Sequence, residues 1–519
     1  MRFSSPVKAL SRGMPLVLAS LITHAMSADC TIQFNSLLQH MSGFGGSTAW
    51  KNGLTDSLIT RLFSTTQGCG LSLVRMHING DGTIGSGELT IAKKAYALGA
   101  SLWGAPWSPA ANYKDNNDVN NGGALMPSHY QDWADKLAAL AKKMDSQGTP
   151  LKWISAQNEP NWTATYESCI YTAAQMTTFV GQYLGPTLEK AGVKTRVISP
   201  EVINFGSLKP FGDALLNDAD AVKYLDVIAS HQYGSGPTGT GWPYKLVADK
   251  GKELWETEHG MDNYAGDESM KGGIPLAKEM HQDIVNGPVS AYHVWWIIPA
   301  DGETGTASNG LMMKGHICQR GYVMGNYSRF VRPGSFRITA TDAPTAGISV
   351  TAYRNDSSGT LAIVAFNETS AAITQKFVLN GVSVSSVTPW ETSDAVKLTA
   401  RDPVAVSGDG FSWPIPGMSV ITFVGKYTPS AIGAHGPRAG EKPYRGLNMG
   451  RDALTAEVRE TGEYTLAVYD LEGARLGSYS GKGPGKRTVP MRPGPAGMVL
   501  VKFVAAGQRS FEERVFRAQ

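Results

Sequence analysis

Two glutamates carry the chemistry that this sequence could perform. Glu159 lies in Gln157-Asn158-Glu159-Pro160 and Glu258 in Leu254-Trp255-Glu256-Thr257-Glu258-His259. Each closes an apolar, β-rich run and stands directly before turn-forming residues. Carboxylates delivered from two separate strand ends are what a retaining glycosidase uses, one to attack the sugar and one to move protons. An Asn-Glu-Pro turn alone is weak evidence, because Asn and Glu are common before proline. A second glutamate at a spacing that a barrel allows, with Trp and Tyr near both, strengthens the reading. Glu256 competes with Glu258, since strand side chains alternate with period two and both would face the same side. Arg75 sits on an otherwise apolar run, Leu71–Ile78, and cannot be buried without an acidic partner. That partner is either a site carboxylate or an acid elsewhere in the fold.

The elements that must hold these residues are legible as alternating strand and helix patterns. Eight strand-like runs occur: Met41–Phe44, Leu71–Ile78, Ala100–Pro106, Leu151–Asn158, Lys194–Ser199, Leu225–Tyr233, Glu253–Glu258 and Ser290–Ile297. Amphipathic stretches lie between them; Tyr130, Trp133, Leu137, Leu140, Ala141 and Met144 recur three or four apart, as one helix face requires. Eight strands alternating with helices predict an α/β fold, a closed (β/α)8 TIM barrel over residues 41–332. The glutamates then fall at the ends of strands four and seven, on the C-terminal face where barrel active sites are built. Glu256 would lie one layer deeper.

With 519 residues, the chain is expected to hold about two or three domains. Residues 1–28 read as an export signal: Arg2, Lys8 and Arg12 are basic, Met14–Thr23 is apolar, and Ala25, Ser27 and Ala28 are small. A secreted or cell-surface protein is expected. The apolar run is too short to span a bilayer, and no later segment approaches that length. Residues 29–40 are expected to form an edge strand of a side β-domain whose main part, a β-sandwich, spans 333–426. A Pro-, Gly- and Ala-rich linker follows at 427–445, then a small β module at 446–519 with no tryptophan. Four widely spread cysteines (30, 69, 169 and 318) lack metal-ligand spacing and read as buried or partly paired thiols. A net charge of +3 implies neither nucleic acid nor an acidic polymer as partner.

Large aromatic rings stack on the apolar faces of pyranose sugars while leaving the hydroxyls free. Trp107, Trp162, Trp242, Tyr244, Trp295 and Trp296 all fall near strand ends or the loops after them and divide between core and sugar platform. Trp295 and Trp296 are neighbours on one strand and are expected to face opposite ways, so only one can line the site. His77 and His231 could be core residues or sugar contacts. Tyr233 could donate its hydroxyl to a carboxylate or simply pack at the barrel mouth.

Ser42-Gly43-Phe44-Gly45-Gly46-Ser47-Thr48-Ala49-Trp50, Leu71–His77, Trp107-Ser108-Pro109, Gln157–Pro160, His231-Gln232-Tyr233, Thr257-Glu258-His259, Val294-Trp295-Trp296, Arg320-Gly321-Tyr322 and Phe330–Gly334 follow one another in an order that resembles glycoside hydrolase family 30. The likeness is to its bacterial xylanase branch and covers roughly residues 30 to 425. It implies a double displacement on the β-1,4-xylan backbone, with Glu258 as nucleophile rather than Glu256, and Glu159 as acid and then base. Asn158 is implied to bond the sugar's 2-hydroxyl, though a turn-forming Asn would look the same. Of the paired tryptophans, the likeness points to Trp296. It implies no cofactor and no metal, a polysaccharide as partner, and a monomer.

The resemblance breaks after strand eight. Glucuronoxylan-specific members carry an Arg- and Tyr-containing loop there; this chain reads Ile297–Glu303, with two acids and no Arg until Arg320. Recognising a carboxylate in two-point fashion is an arginine task, and acids would repel glucuronate. Gly260 and Asn263 also replace hydroxyl-bearing residues after the nucleophile. Lys314, Arg320 or another loop could supply a cation instead. The expected activity is an endo-xylanase without strict need for glucuronate. The alternatives are a β-1,6-glucanase, a xylobiose-releasing exo-enzyme, or a non-catalytic glycan-binding surface protein. The last module, with Tyr464–Gly473, resembles the sorting or attachment modules of some secreted fibre-degrading enzymes.

Overall fold

The computed structural model describes residues 28–298, 309–427, 444–449, 453–460, 462–470, 475–491, 497–505 and 510–517. The expected export signal therefore lies outside the described residues but for Ala28. After β1 (Cys30–Met41), eight parallel strands close a barrel: β2 (Gly43–Ser47), β3 (Leu73–Ile78), β4 (Ser101–Pro106), β5 (Leu151–Ser155), β6 (Arg196–Val202), β7 (Leu225–Ser230), β8 (Glu253–Glu256) and β9 (Ala291–Val294). All eight expected runs are strands. Four of them, β5, β7, β8 and β9, stop two or three residues earlier than their apolar patterns, so Glu159, His231, Glu258 and the paired tryptophans sit just past the strand ends, where the chain must turn.

Inside the barrel, Leu73, Trp103, Trp153, Ile198, Val227, Ala229, Trp255 and Ala291 pack a core of their own. Outside it, helices cover the strands; Tyr130–Ser146 buries its predicted face through Tyr130, Trp133, Leu137, Leu140, Ala141 and Met144. The first barrel strand, β2, is glycine-rich because its neighbours press close: a Cβ on Gly45 would lie 2.0 Å from the Leu73 carbonyl oxygen. Among the described residues, no helix is long and apolar enough to cross a membrane.

The remaining strands build one ten-stranded sheet from β1 with β12 (Ser335–Ala340), β13 (Ile348–Asn355), β14 (Thr360–Asn367), β15 (Ile373–Asn380), β16 (Ser386–Thr392), β17 (Thr399–Ala400), β18 (Val404–Ala405), β19 (Gly410–Ile415) and β20 (Ser419–Lys426). Two short strands, β10 (Met312–Met313) and β11 (His316–Ile317), pair with each other before the last barrel helix. The large sheet folds over on itself, so that Phe377 of β15 and Phe411 of β19 meet Phe423 of β20, with ring centroids 5.0 and 5.1 Å apart. The first strand is not at an edge. It lies between β12, antiparallel, and β15, parallel, and so satisfies backbone groups on both sides. Helix Gln319–Ser328, buried along its whole length, joins this sheet to the barrel through Asn326, whose side-chain amide donates to the Trp390 carbonyl at 2.9 Å.

Tyr427 belongs to the sheet's core rather than to the linker: its ring lies 4.8 Å from Phe34 and its hydroxyl donates to Asp356 at 2.7 Å. The linker residues 428–443 lie outside the described residues. The terminal module already begins at Tyr444 and has two sheets, of three and four strands. Its core, around Leu466, Val468, Val501 and Phe503, shares no residue with the other cores. A chain ending at Tyr427 is therefore expected to melt within about 3 °C of the full chain and to keep its rate on soluble substrate, because separate cores unfold separately. A larger loss of either would show that the module packs on the enzyme.

All four cysteines are free and buried. Burial pushes the thiols of Cys30, Cys69 and Cys169 up to about 12, so they are inert at neutral pH.

Candidate active site

Arg75, at the centre of β3, is wholly buried beneath the barrel mouth. One guanidinium nitrogen pairs with Glu258, and the other donates to Asn158 Oδ1 at 2.6 Å and lies 3.0 Å from Glu201 Oε1. Its flat face covers Trp107 at 4.5 Å. Of the two readings of Arg75, the structure shows the one in which it pairs with a site carboxylate. Burial works against its charge, but Glu201 and Glu258 more than offset this and push its pKa up.

Glu159 and Glu258 are both almost fully buried, and the structure brings them together. A carboxylate oxygen of each and a nitrogen of His231 all lie within 4.8 Å of one another. Donor atoms so placed resemble a metal's ligands, yet the Arg75 guanidinium already neutralises Glu258. A proton fits this cluster better than a second cation does. Glu159 has a positive φ of 46° and is anchored by its N–H to the Glu201 carbonyl at 3.0 Å. Its Oε1 lies 3.1 Å from His231 Nδ1, and its Oε2 accepts from the Tyr166 hydroxyl at 3.3 Å. Tyr233 donates its hydroxyl to Glu258 Oε1 at 3.0 Å. Burial leaves the pKa of Glu258 raised, with the charges on His231 and Arg75 lowering it in part and that of Glu159 adding to the rise. The two carboxylates are thus unlike: one has a fixed guanidinium, the other a histidine and a phenol.

Glu256 does not stand below Glu258. Trp255 points into the barrel and Glu256 outward, where its Oε2 accepts from the His293 N–H at 2.8 Å and Glu279 and Asp283 press on it. Burial first, and then those acids, raise its pKa well above the usual range. The strand ends at Glu256, and the in–out alternation slips by one residue before Glu258.

Trp107 is buried under Trp50 and Trp295, at 5.1 and 5.8 Å, and forms the floor beside Arg75. The strand ends at Val294, so alternation does not reach the paired tryptophans; their rings stack 4.0 Å apart. It is Trp295 that meets Trp107, whereas Trp296 lies under the Lys51 ammonium at 4.0 Å. Trp162 is about half exposed beyond Glu159, with Tyr166 alongside. Trp242 and Tyr244 pack instead against Phe205 and Asp213 on the flank. His77 is bound to Glu167 at 2.7 Å and packs on Trp50. Trp50, Tyr166 and Glu201 are site residues that the sequence reading did not single out. Glu201 obeys the same rule as the glutamates that were found, an acid at a strand end, but its strand was read as ending at Ser199.

Residues 299–308 of the loop after β9 lie outside the described residues. Of the cations weighed for it, Lys314 pairs with Glu268 at 2.5 Å. Arg320 is buried and donates to the carbonyls of Gly310 and Tyr264 at 2.9 and 2.7 Å.

Comparison with known proteins agrees with this geometry. Residues 88–243 match the glycosyl hydrolase family 30 TIM-barrel domain. Glucuronoxylanase XynC of Bacillus subtilis (strain 168) is 32% identical over 410 residues, which are 77% of this chain and 92% of that protein. The crystal structure of the family 30 subfamily 8 xylanase Xyn30A from Clostridium acetobutylicum superposes with a TM-score of 0.69 at 32% identity, over 77% of this chain and 99% of that one. A family 30 endoxylanase from Clostridium papyrosolvens C71 gives 0.65 at 33%, over 77% and 100%. With 32% identity to curated and solved family members over more than nine-tenths of their length, and with the same barrel and side sheet, the chain belongs to glycoside hydrolase family 30.

Proposed function

We propose that this protein is a secreted, retaining endo-β-1,4-xylanase that cleaves the xylan backbone without strict need for glucuronate. The observation that carries this reading is the closeness of Glu159 and Glu258, with oxygens within 4.8 Å. Retaining enzymes hold their carboxyl groups about 5–5.5 Å apart, whereas inverting ones need about 6.5–9.5 Å to admit a water. Glu258, held by Arg75 and Tyr233, attacks the anomeric carbon while Glu159 gives its proton to the departing oxygen. Glu159 then takes a proton from the water that breaks the glycosyl–enzyme ester. Asn158, held in orientation by Arg75, is placed to bond the sugar's 2-hydroxyl, and the exposed rings of Trp50 and Trp162 offer faces to sugars on either side. The xylan specificity rests on the named relatives, and export on the composition of residues 1–28.

Independence from glucuronate is supported by the acids at Asp301 and Glu303 and by the commitment of Lys314 and Arg320 to other partners. Initial rates on glucuronoxylan, before and after enzymatic removal of its glucuronate, test the point, and comparable rates are expected. A loss beyond about a hundredfold, near 2.7 kcal/mol of transition-state binding, would mean that a cation grips the side chain.

A further inference from the structure

We infer that Glu201 is a positioning residue for the acid/base: a third buried carboxylate whose negative charge holds protons on the His231–Glu159 pair, including the one that the leaving oxygen requires. The inference rests on the proposed roles of Glu159 and Glu258.

Glu201 is the last residue but one of β6, with its side chain wholly buried. Its Oε1 lies 3.0 Å from Arg75 Nη2 and 3.5 Å from His231 Nε2. His231 thus bridges two glutamates, Glu201 through Nε2 and Glu159 through Nδ1. The backbone adds a second tie, since the Glu159 N–H donates to the Glu201 carbonyl at 3.0 Å. Both residues hold positive φ, 55° and 46°, a conformation that an L side chain keeps only when its surroundings demand it.

The argument is a charge count in a site with almost no access to water. The facing groups are Arg75 from β3, Ser155 from β5, Asn158, Glu159 and Tyr166 after β5, Glu201 from β6, His231 and Tyr233 after β7, Glu258 after β8 and His293 from β9. Burial pushes His293 down to about 3, which leaves it neutral. Burial also opposes the charge on Glu201, but Arg75 and His231 outweigh it and hold its pKa down to about 2. Burial would likewise strip His231 of its proton, yet Glu258, Glu159 and Glu201 raise it to about 9. Two cations, Arg75 and His231, therefore face two anions, Glu201 and Glu258. A third anion would be unmatched, so one of the two paired glutamates must hold a proton; Arg75 contacts Glu258 and not Glu159, which assigns that proton to the His231–Glu159 side. Without Glu201 the same two cations would face one anion. The cheapest relief is loss of a proton from His231 or Glu159, and either impairs the acid.

Glu201→Gln keeps size and removes the charge. The alkaline limb of kcat/KM on xylan is expected to move down by about one pH unit or more, which is about tenfold in rate above the limb. An aryl xyloside with a good leaving group should change by less than about threefold, because its departure needs no proton. An unmoved limb, or equal losses on both substrates, would overturn the inference, since a merely structural residue gives equal losses. Nitrogen NMR of 15N-histidine-labelled wild-type enzyme, with His231 assigned by its loss in His231→Asn, reads the same point without altering Glu201. An imidazolium at pH 7.5 is expected, and a neutral ring there overturns the inference even if Glu201→Gln fails to fold. Failure of the underlying roles looks different: Glu258→Ala would then not be rescued by azide, whatever the pH limb does.

Discussion

Replacing Glu258 with alanine is expected to lower turnover of xylan on the order of 10⁴–10⁶-fold, the scale on which enzymes lose a nucleophile. Sodium azide is expected to restore part of the rate on an activated aryl xyloside and to give the inverted glycosyl azide. The physical reason is local. The vacated carboxylate leaves a small space beneath the anomeric carbon, where an azide ion meets the same Arg75 guanidinium that served Glu258. The fold should tolerate the change, because Arg75 keeps Glu201 at 3.0 Å and is not stranded as a lone buried charge. Glu256→Ala supplies the contrast. That side chain faces the outer helices, so azide has no reason to help it. Azide rescue in Glu159→Ala with an inverted product, and none in Glu258→Ala, would exchange the two roles.

The barrel was legible because its signal is redundant. Eight apolar runs alternate with amphipathic helices, and an error of two residues at any boundary leaves the count and order unchanged. The two candidate glutamates were legible for a related reason: each ends such a run and begins a turn. What was hidden depends on single-residue register. Period-two alternation placed Glu256 under Glu258 and set Trp295 and Trp296 on opposite faces. Both statements hold only inside a strand, and these residues lie at or past its end, where the backbone is free to slip. Glu201 was hidden because its strand runs through Ser199 and Pro200, which read as a stop. The position of β1 could not be read at all. A strand's partners are chosen by pairing across some 300 residues, for which a local pattern carries no signal.

The site divides its cations unevenly between its two carboxylates. Arg75 cannot lose its proton in this setting, so Glu258 has a permanent counter-charge. Glu159 is left with the His231 ring and the Tyr166 hydroxyl, and has no guanidinium of its own. This asymmetry is what one enzyme needs to run an acid and a nucleophile at the same pH.

The same division makes Glu159→Ala the sharpest probe of mechanism after Glu258. On xylan, whose departing sugar hydroxyl is a poor leaving group, kcat/KM is expected to fall by about 10³–10⁴-fold, the upper range for loss of a general acid. On a dinitrophenyl xyloside the first step needs no proton and should keep kcat/KM within about tenfold. The second step still lacks its base. The glycosyl–enzyme should therefore accumulate, giving a burst of phenol, a low steady rate and a lowered KM. Azide, which needs no base to attack, should then raise the steady rate and yield the azide with retained configuration, the opposite of the product from Glu258→Ala. Tyr166→Phe removes only the 3.3 Å bond to Glu159 Oε2 and should show the same pattern in miniature, with losses of about tenfold or less. If Glu159→Ala loses xylan and aryl xyloside activity equally, with no burst, then Glu159 does not carry the proton and the division of roles drawn from the Arg75 and His231 contacts is wrong.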